Sequence, residues 1–276
     1  MQSLKDREVG VMFWAGRDSL EQIRVFGVRC GQLGLEGDLV LNPALASSWK
    51  SALDKAQFTL VTVFAAYKGE SYADIPTVQR TVGFIPPATR AERERRTLEV
   101  SDFAAALGVG SIACHIGFVP EDVNDRDYVA VREMVRRVAD HAAIHKQTFA
   151  LETGQEPAHV LQRFLTDVGR DNVGINFDPA NMILYGTGDP IEALDVLRSR
   201  VLSVHVKDGD WPPPDSPGSL GKERPLGQGS VGIPRFLDKL KEIGFRGPLN
   251  IEREAENQTE RLADIRAAVG YLSGLA

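Results

Sequence analysis

Four acidic or imidazole side chains close four successive apolar runs in the second half of the chain. Glu152 follows Phe149-Ala-Leu, Asp178 follows Val173-Gly-Ile-Asn-Phe, His205 lies in Val204-His205-Val-Lys207-Asp208, and Glu252 follows Leu249-Asn-Ile. Three carboxylates and one imidazole make a hard donor set, suited to one divalent ion, manganese, magnesium or cobalt, and compatible with zinc. Crowding such carboxylates without a cation is costly, so the set itself argues that a metal is held. Taken singly, a Glu, Asp or His at a strand end is more often a helix cap or a salt-bridge partner. Four in register on consecutive strands favour a metal centre. A divalent ion there would withdraw charge from an oxygen bound to it, and a carboxylate beside it could move a proton.

The elements that must position these residues follow from the pattern. Short runs rich in Val, Ile, Leu and Phe, each followed by a helical period, read as buried parallel strands with function at their C-terminal ends. Strands are expected at 9–16, 32–35, 58–65, 111–117, 148–153, 173–178, 201–206 and 248–251. Helices are expected from Leu20 to Gly27 behind the caps Asp18 and Ser19, then at 43–55, 90–107, 127–146, 157–168, 190–200, 234–243 and 259–272. Eight alternations without a composition break predict an α/β fold, a single-domain (β/α)8 TIM barrel spanning 1–276, rather than an open doubly wound sheet. No glycine fingerprint for a dinucleotide or a P-loop follows any strand. Two connections exceed a plain βα turn, one from Tyr67 through Pro86-Pro87 and one from Asp210 through Gly229. Both are candidate covers for the strand ends.

Composition narrows the class. The chain has 276 residues, 43% of them hydrophobic, with a formal net charge of -6. An acidic chain argues against nucleic acid as a partner, because neutralising phosphates needs a basic face. The two cysteines, Cys30 and Cys114, fall in expected strands, so a disulfide framework is not expected and a reduced compartment is. Residues 1–6 carry no apolar stretch, and no run approaches a membrane span, which makes the cytoplasm the expected location.

Ala150-Leu-Glu152-Thr, Asn176-Phe-Asp178-Pro-Ala-Asn181, Val204-His205-Val-Lys207-Asp208 and Ile251-Glu252 resemble the metal-binding strands of the xylose-isomerase-like TIM-barrel superfamily. The relevant branch is its sugar phosphate isomerase/epimerase group, which includes ketose 3-epimerases and inosose dehydratase. The match is strongest from His115 onward and weak over the first hundred residues. The resemblance implies a divalent metal held by Glu152, Asp178, His205 and Glu252, with the two glutamates also acting as acid and base on opposite faces of a ketose or keto-sugar. It implies a small-molecule sugar as partner and is compatible with a homo-oligomer. Proton return to the opposite face gives epimerisation, return to the neighbouring carbon gives isomerisation, and expulsion of a β-substituent from a keto-glycoside or inosose makes the same site a lyase. Two departures bear on the choice. Asn181 stands where the epimerases carry a histidine, and Trp211 where they carry an arginine.

Further substrate contacts are weighed against plainer roles. His115 is either a ligand for substrate or a hydrogen-bonded core histidine. Lys207 shares the strand parity of His205, and either reaches an enolate oxygen or pairs with Glu254 or Asp208. Glu156 either binds a hydroxyl or opens the next helix with a favourable charge. Arg224 either reaches an anionic group or stays solvated, and Trp14, Phe13 and Trp211 are candidates for an apolar wall against a sugar face. His141, His145 and His159 fall on expected helices and are read as surface residues. A phosphodiesterase of the same superfamily would need more histidines than the five present and a basic surface.

Overall fold

Alternation of side chains along each strand decides what lies inside and what lies outside in the computed structural model, which describes residues 7–275. Segment 1–6, read above as lacking an apolar stretch, lies outside the described residues. The eight barrel strands are β1 (Val9–Ala15), β2 (Cys30–Leu35), β3 (Thr59–Ala65), β4 (Ser111–Cys114), β5 (Thr148–Glu152), β6 (Val173–Phe177), β7 (Val201–Val206) and β10 (Leu249–Ile251). They pair in parallel and close in the order β1-β10-β7-β6-β5-β4-β3-β2, the expected eight-stranded barrel. On β1 the residues Val11, Phe13 and Ala15 join the large apolar shell beneath the helices, whereas Met12 and Trp14 cluster inside with Phe64, Ala113 and Ala150. Phe13 therefore belongs to no substrate wall: its ring packs against Trp49 and Phe58 at centroid distances of 6.1 and 5.9 Å.

Among the described residues ten α-helices surround or cap the barrel: α1 (Leu20–Arg24), α2 (Pro43–Ala56), α3 (Ile75–Thr81), α4 (Arg90–Leu107), α5 (Arg126–Ile144), α6 (Ala158–Val168), α7 (Pro179–Tyr185), α8 (Pro190–Leu197), α9 (Ile233–Glu242) and α10 (Gln258–Leu275). Their starts follow capping chemistry. Asn42, Asp74 and Asp189 accept backbone N–H bonds from the first turn, with proline just inside each helix. None of the described helices is long and apolar enough to cross a membrane, and both cysteines are free and buried.

The two long connections are built rather than loose. The first carries α3, and Glu70 folds it by accepting the N–H groups of Tyr67 at 3.1 Å and Gly83 at 2.8 Å. The second forms a small antiparallel hairpin, β8 (Asp208–Asp210) with β9 (Lys222–Arg224). Ile75 N–H donates to Gly218 O at 2.9 Å, so the two covers touch. Chain ends are joined across the barrel as well. Arg261 of α10 forms a buried ion pair with Asp18, whose carboxylate also accepts Gln258 Nε2 at 2.8 Å and Trp14 N–H at 2.9 Å.

Candidate metal centre

Glu152, Asp178, His205 and Glu252 converge at the C-terminal ends of β5, β6, β7 and β10, all four buried, with one donor atom from each within 4.8 Å of the others. His205 Nδ1 lies 2.9 Å from Glu152 Oε1, 3.2 Å from Glu252 Oε2 and 3.8 Å from Asp178 Oδ2. A single ring nitrogen thus points into the midst of three carboxylates.

Local structure explains each placement. Asp178 ends its strand and caps α7: Oδ1 accepts the N–H groups of Ala180 at 2.8 Å and Asn181 at 3.0 Å, with Pro179 at the first helical position. That leaves Oδ2 buried with no hydrogen-bond partner in the structure. An orphaned carboxylate oxygen beside three other ligand atoms fits a cation and is expensive without one. The Asp178 backbone is latched to the neighbouring strand by Thr153, whose hydroxyl accepts Asp178 N–H at 2.8 Å. Gly154 follows with φ +147°, and a Cβ there would come within 2.6 Å of Asn181 Cβ, so only glycine lets the chain pass this close to α7.

Behind the four donors lies a ring of polar side chains inside the barrel. His205 Nε2 donates to Gln32 Oε1 at 2.7 Å, a role fixed because the Gln32 amide nitrogen donates to Asn176 Oδ1 at 3.1 Å. Asn176 Nδ2 in turn donates to Glu152 Oε2, and Ser203 Oγ donates to Asn176 Oδ1. That bond leaves Nδ1 as the nitrogen that could bind an ion, with the ring oriented from its other side. Gln32, Asn176 and Ser203 did not emerge from the sequence. The available signal was an amide or hydroxyl at the inward parity of an otherwise apolar strand.

Neighbouring side chains in the cluster shift one another's protonation. Burial raises the Glu152 carboxyl to about 7 despite the neighbouring imidazole. Burial opposes the charge on Glu252 as well, but His205 and Lys207 outweigh it and hold that carboxyl well below the usual range. For His205 burial disfavours the cation, yet Glu152 and Glu252 push its pKa well above the ordinary value.

The other expected site residues divide into two groups. Lys207 is buried and donates to Glu252 Oε2 at 2.9 Å, with Asp178 Oδ2 at 3.8 Å and Glu254 Oε2 at 3.7 Å. Asp208 does not pair with it, because that carboxylate accepts four backbone N–H groups of its own loop, from Gly209, Gly227, Gly229 and Val231. Asn181 lies between Glu152 Oε1 and Lys207 Nζ, 3.4 Å from each. His115 stands just past β4, with Gln155 Nε2 at 3.3 Å from Nδ1, and burial lowers its pKa to about 4, so the ring is neutral near pH 7. Phe64 links it to the centre, 5.7 Å from the His115 ring and 6.0 Å from His205. Trp14 reaches the same interior cluster across Gly34, where a Cβ would meet the indole at 2.4 Å.

Glu156 and Arg224 are engaged elsewhere, and Trp211 is exposed. Glu156 is buried and accepts Val119 N–H at 3.0 Å, tying the loop after β4 to the loop after β5. Arg224 donates to Asp210 at 2.6 Å across the hairpin, and Trp211 is 44% exposed at the base of that loop. His159 is exposed on α6 as expected, whereas His141 and His145 share a partner on α4.

Comparison with known proteins agrees with the fold. Residues 20–274 match the family model described as xylose isomerase-like TIM barrel. A xylose isomerase domain protein from Planctomyces limnophilus superposes with a TM-score of 0.91 at 42% identity, covering 98% of this chain and 97% of that one. A xylose isomerase-like TIM barrel protein from Mycobacterium smegmatis, solved in complex with magnesium, shares the fold with a TM-score of 0.70 at 17% identity, covering 100% and 99%. Inosose isomerase from Bacillus velezensis is 30% identical over 130 residues, 44% of each chain. The chain spans 60% and 44% of the lengths of the curated relatives it matches.

Proposed function

The chain belongs to the xylose isomerase-like TIM-barrel family, and from that premise we propose a divalent-metal-dependent isomerase or epimerase acting on a ketose or keto-sugar through an enediolate. The observation that carries the reading is the buried convergence of Glu152, Asp178, His205 and Glu252 around the unpartnered Asp178 Oδ2. The donor set fits manganese, magnesium or cobalt by its hardness. When bound, such an ion supplies positive charge to the oxygens of a neighbouring carbonyl and hydroxyl, which makes the adjacent carbon acidic.

The side chains supply the rest. Glu152 and Glu252 stand at the two ends of an arc of four adjacent strands, β5, β6, β7 and β10, so a substrate lying across the arc is flanked by a carboxylate on each side. One takes the carbon-bound proton on an Oε atom and the other delivers a proton to the opposite face or the neighbouring carbon. Lys207 Nζ, fixed by Glu252, offers N–H donors where negative charge develops on substrate oxygen. His115 packs against Phe64, which meets Trp14 inside the barrel, and its neutral imidazole donates or accepts without adding charge. The partial likeness to inosose isomerase supports a cyclic or open-chain keto-sugar as substrate class.

Asn181 favours a second reading. An amide rather than an imidazole sits between Glu152 and Lys207, which alters the contact at the oxygen next to the reacting carbon. Elimination of a β-substituent from the same enolate then becomes the alternative outcome, a lyase or dehydratase. Mass spectrometry of products separates the two: an isomer of equal mass against loss of water or of an aglycone. Glu152→Gln and Glu252→Gln are each expected to lower manganese-dependent turnover by about two to four orders of magnitude, the usual worth of a general acid or base. Unchanged turnover in both variants removes the proposal.

A further inference from the structure

Asp102 of α4 and His141 and His145 at the end of α5 come together outside the barrel. We propose that these three residues form a second metal site, selective for a transition ion of the zinc class. His141 and His145 are four residues apart, so both imidazoles lie on one helix face. Their Nε2 atoms approach the same oxygen, Asp102 Oδ1, at 2.7 and 2.8 Å, with ring centroids 5.4 Å apart. All three donor atoms lie within 4.8 Å of one another. A tetrahedral ion with bonds of roughly 2.0–2.1 Å needs donor separations near ~3.3 Å, so each contact has to open by only about half an ångström.

Charge and supports agree with this. Among the described residues Asp102 forms no ion pair with lysine or arginine, and its carboxylate meets the two imidazoles alone. Asp140 pairs with Arg170, and Glu94 with Arg137. The two segments are also pinned from beneath. Ser101 Oγ donates to Gln147 Oε1 at 2.6 Å, and Gln147 Nε2 donates to Ser101 O at 3.1 Å and Val109 O at 3.0 Å, all buried. Asp102 and His145 therefore sit next to a rigid clamp, which limits the ordering cost of binding. The side chains of His141, His145 and Asp102 are 27%, 30% and 58% exposed, so an ion can reach them from solvent.

Two nitrogens and one oxygen form a softer set than the three carboxylates and one imidazole at the strand ends, and favour zinc, nickel or cobalt over magnesium or manganese. Both helices run antiparallel to the strands, so their C-terminal ends lie at the face opposite the strand-end cluster. The second site joins α4 to α5 and leaves one coordination position for water or a group from another molecule.

The test uses the full chain, stripped with EDTA and titrated with zinc chloride in equilibrium dialysis. The wild type is expected to hold about two zinc ions per chain and His141→Asn/His145→Asn about one, with circular dichroism confirming an unchanged fold. Cobalt chloride supplies a second readout, because the visible absorption of four-coordinate cobalt at this site is lost in the double variant and weakened in Asp102→Asn. Equal zinc stoichiometry and equal cobalt spectra in wild type and double variant overturn the proposal. A fall from one zinc to none sustains it while removing the metal reading of the strand-end cluster, so the two failures are distinguishable.

Discussion

At the scale of single residues, Asp178 shows how one side chain serves two ends. Its Oδ1 caps α7 and its Oδ2 faces the cluster without a partner. Asn is as good a cap as Asp, so Asp178→Asn is expected to keep the unfolding midpoint near wild type while manganese affinity falls by about two orders of magnitude in calorimetric titration. Glu156 gives a pH prediction. Burial raises its carboxyl to about 8 from an ordinary value of 4.5, so the folded state holds a proton that the unfolded state releases. The stabilisation is full below about 4.5, declines as pH rises through the window from about 4.5 to 8, and is gone above it. Glu156→Gln is therefore expected to gain stability over wild type across that window, by roughly 3–5 kcal/mol at pH 9 relative to pH 4, in urea unfolding. The four donors were legible in the sequence because a charge ending an apolar run is conspicuous. Gln32, Asn176 and Ser203 were not, since an inward amide or hydroxyl within a strand becomes informative only once barrel closure brings β2 opposite β6 and β7.

At the scale of elements, Asp208 organises the second cover. Four backbone N–H groups from Gly209, Gly227, Gly229 and Val231 converge on one carboxylate that the sequence had offered as a possible partner of Lys207. Removing it leaves the buried donors of Gly209 and Val231 unsatisfied, so Asp208→Ala is expected to cost about 2–4 kcal/mol and to speed protease cleavage within 211–221. Unchanged cleavage rates contradict that role. The long strands and helices were readable from periodicity and caps, and their ends moved by only a few residues. Helix α7 was missed because its seven residues span under two turns, too few for a period to show, although Asp178-Pro179 carries a cap followed by a first-turn proline. Helix α3 was hidden in a connection read as a loop for the same reason, with Asp74 and Pro76 as the overlooked cap signals. Strand β4 stops at Cys114 rather than continuing to Gly117, whose φ of +83° turns the chain toward Val82.

At the scale of the whole molecule, barrel closure makes a site from residues a hundred positions apart. The eight alternations predicted the closed parallel order, and that order alone puts β10 beside β7 and Glu252 within reach of His205. Closure is held at the ends by the buried Arg261–Asp18 pair between α10 and the turn after β1, a contact no local pattern encodes. The covers over the strand ends meet at Ile75 and Gly218, which places two non-adjacent loops over one mouth. This arrangement is expected to move a carbon-bound proton with a divalent ion in place. Proton NMR in deuterated water reads that transfer, with manganese-loaded or magnesium-loaded protein, an EDTA-treated control, and a panel of ketoses, inososes and 3-keto-glycosides. Metal-dependent loss of a carbon-bound proton signal beside a carbonyl, abolished in Glu152→Gln, is the expected result. Deuterium incorporation at the same rate in the EDTA-treated control and the loaded enzyme contradicts a metal-dependent transfer.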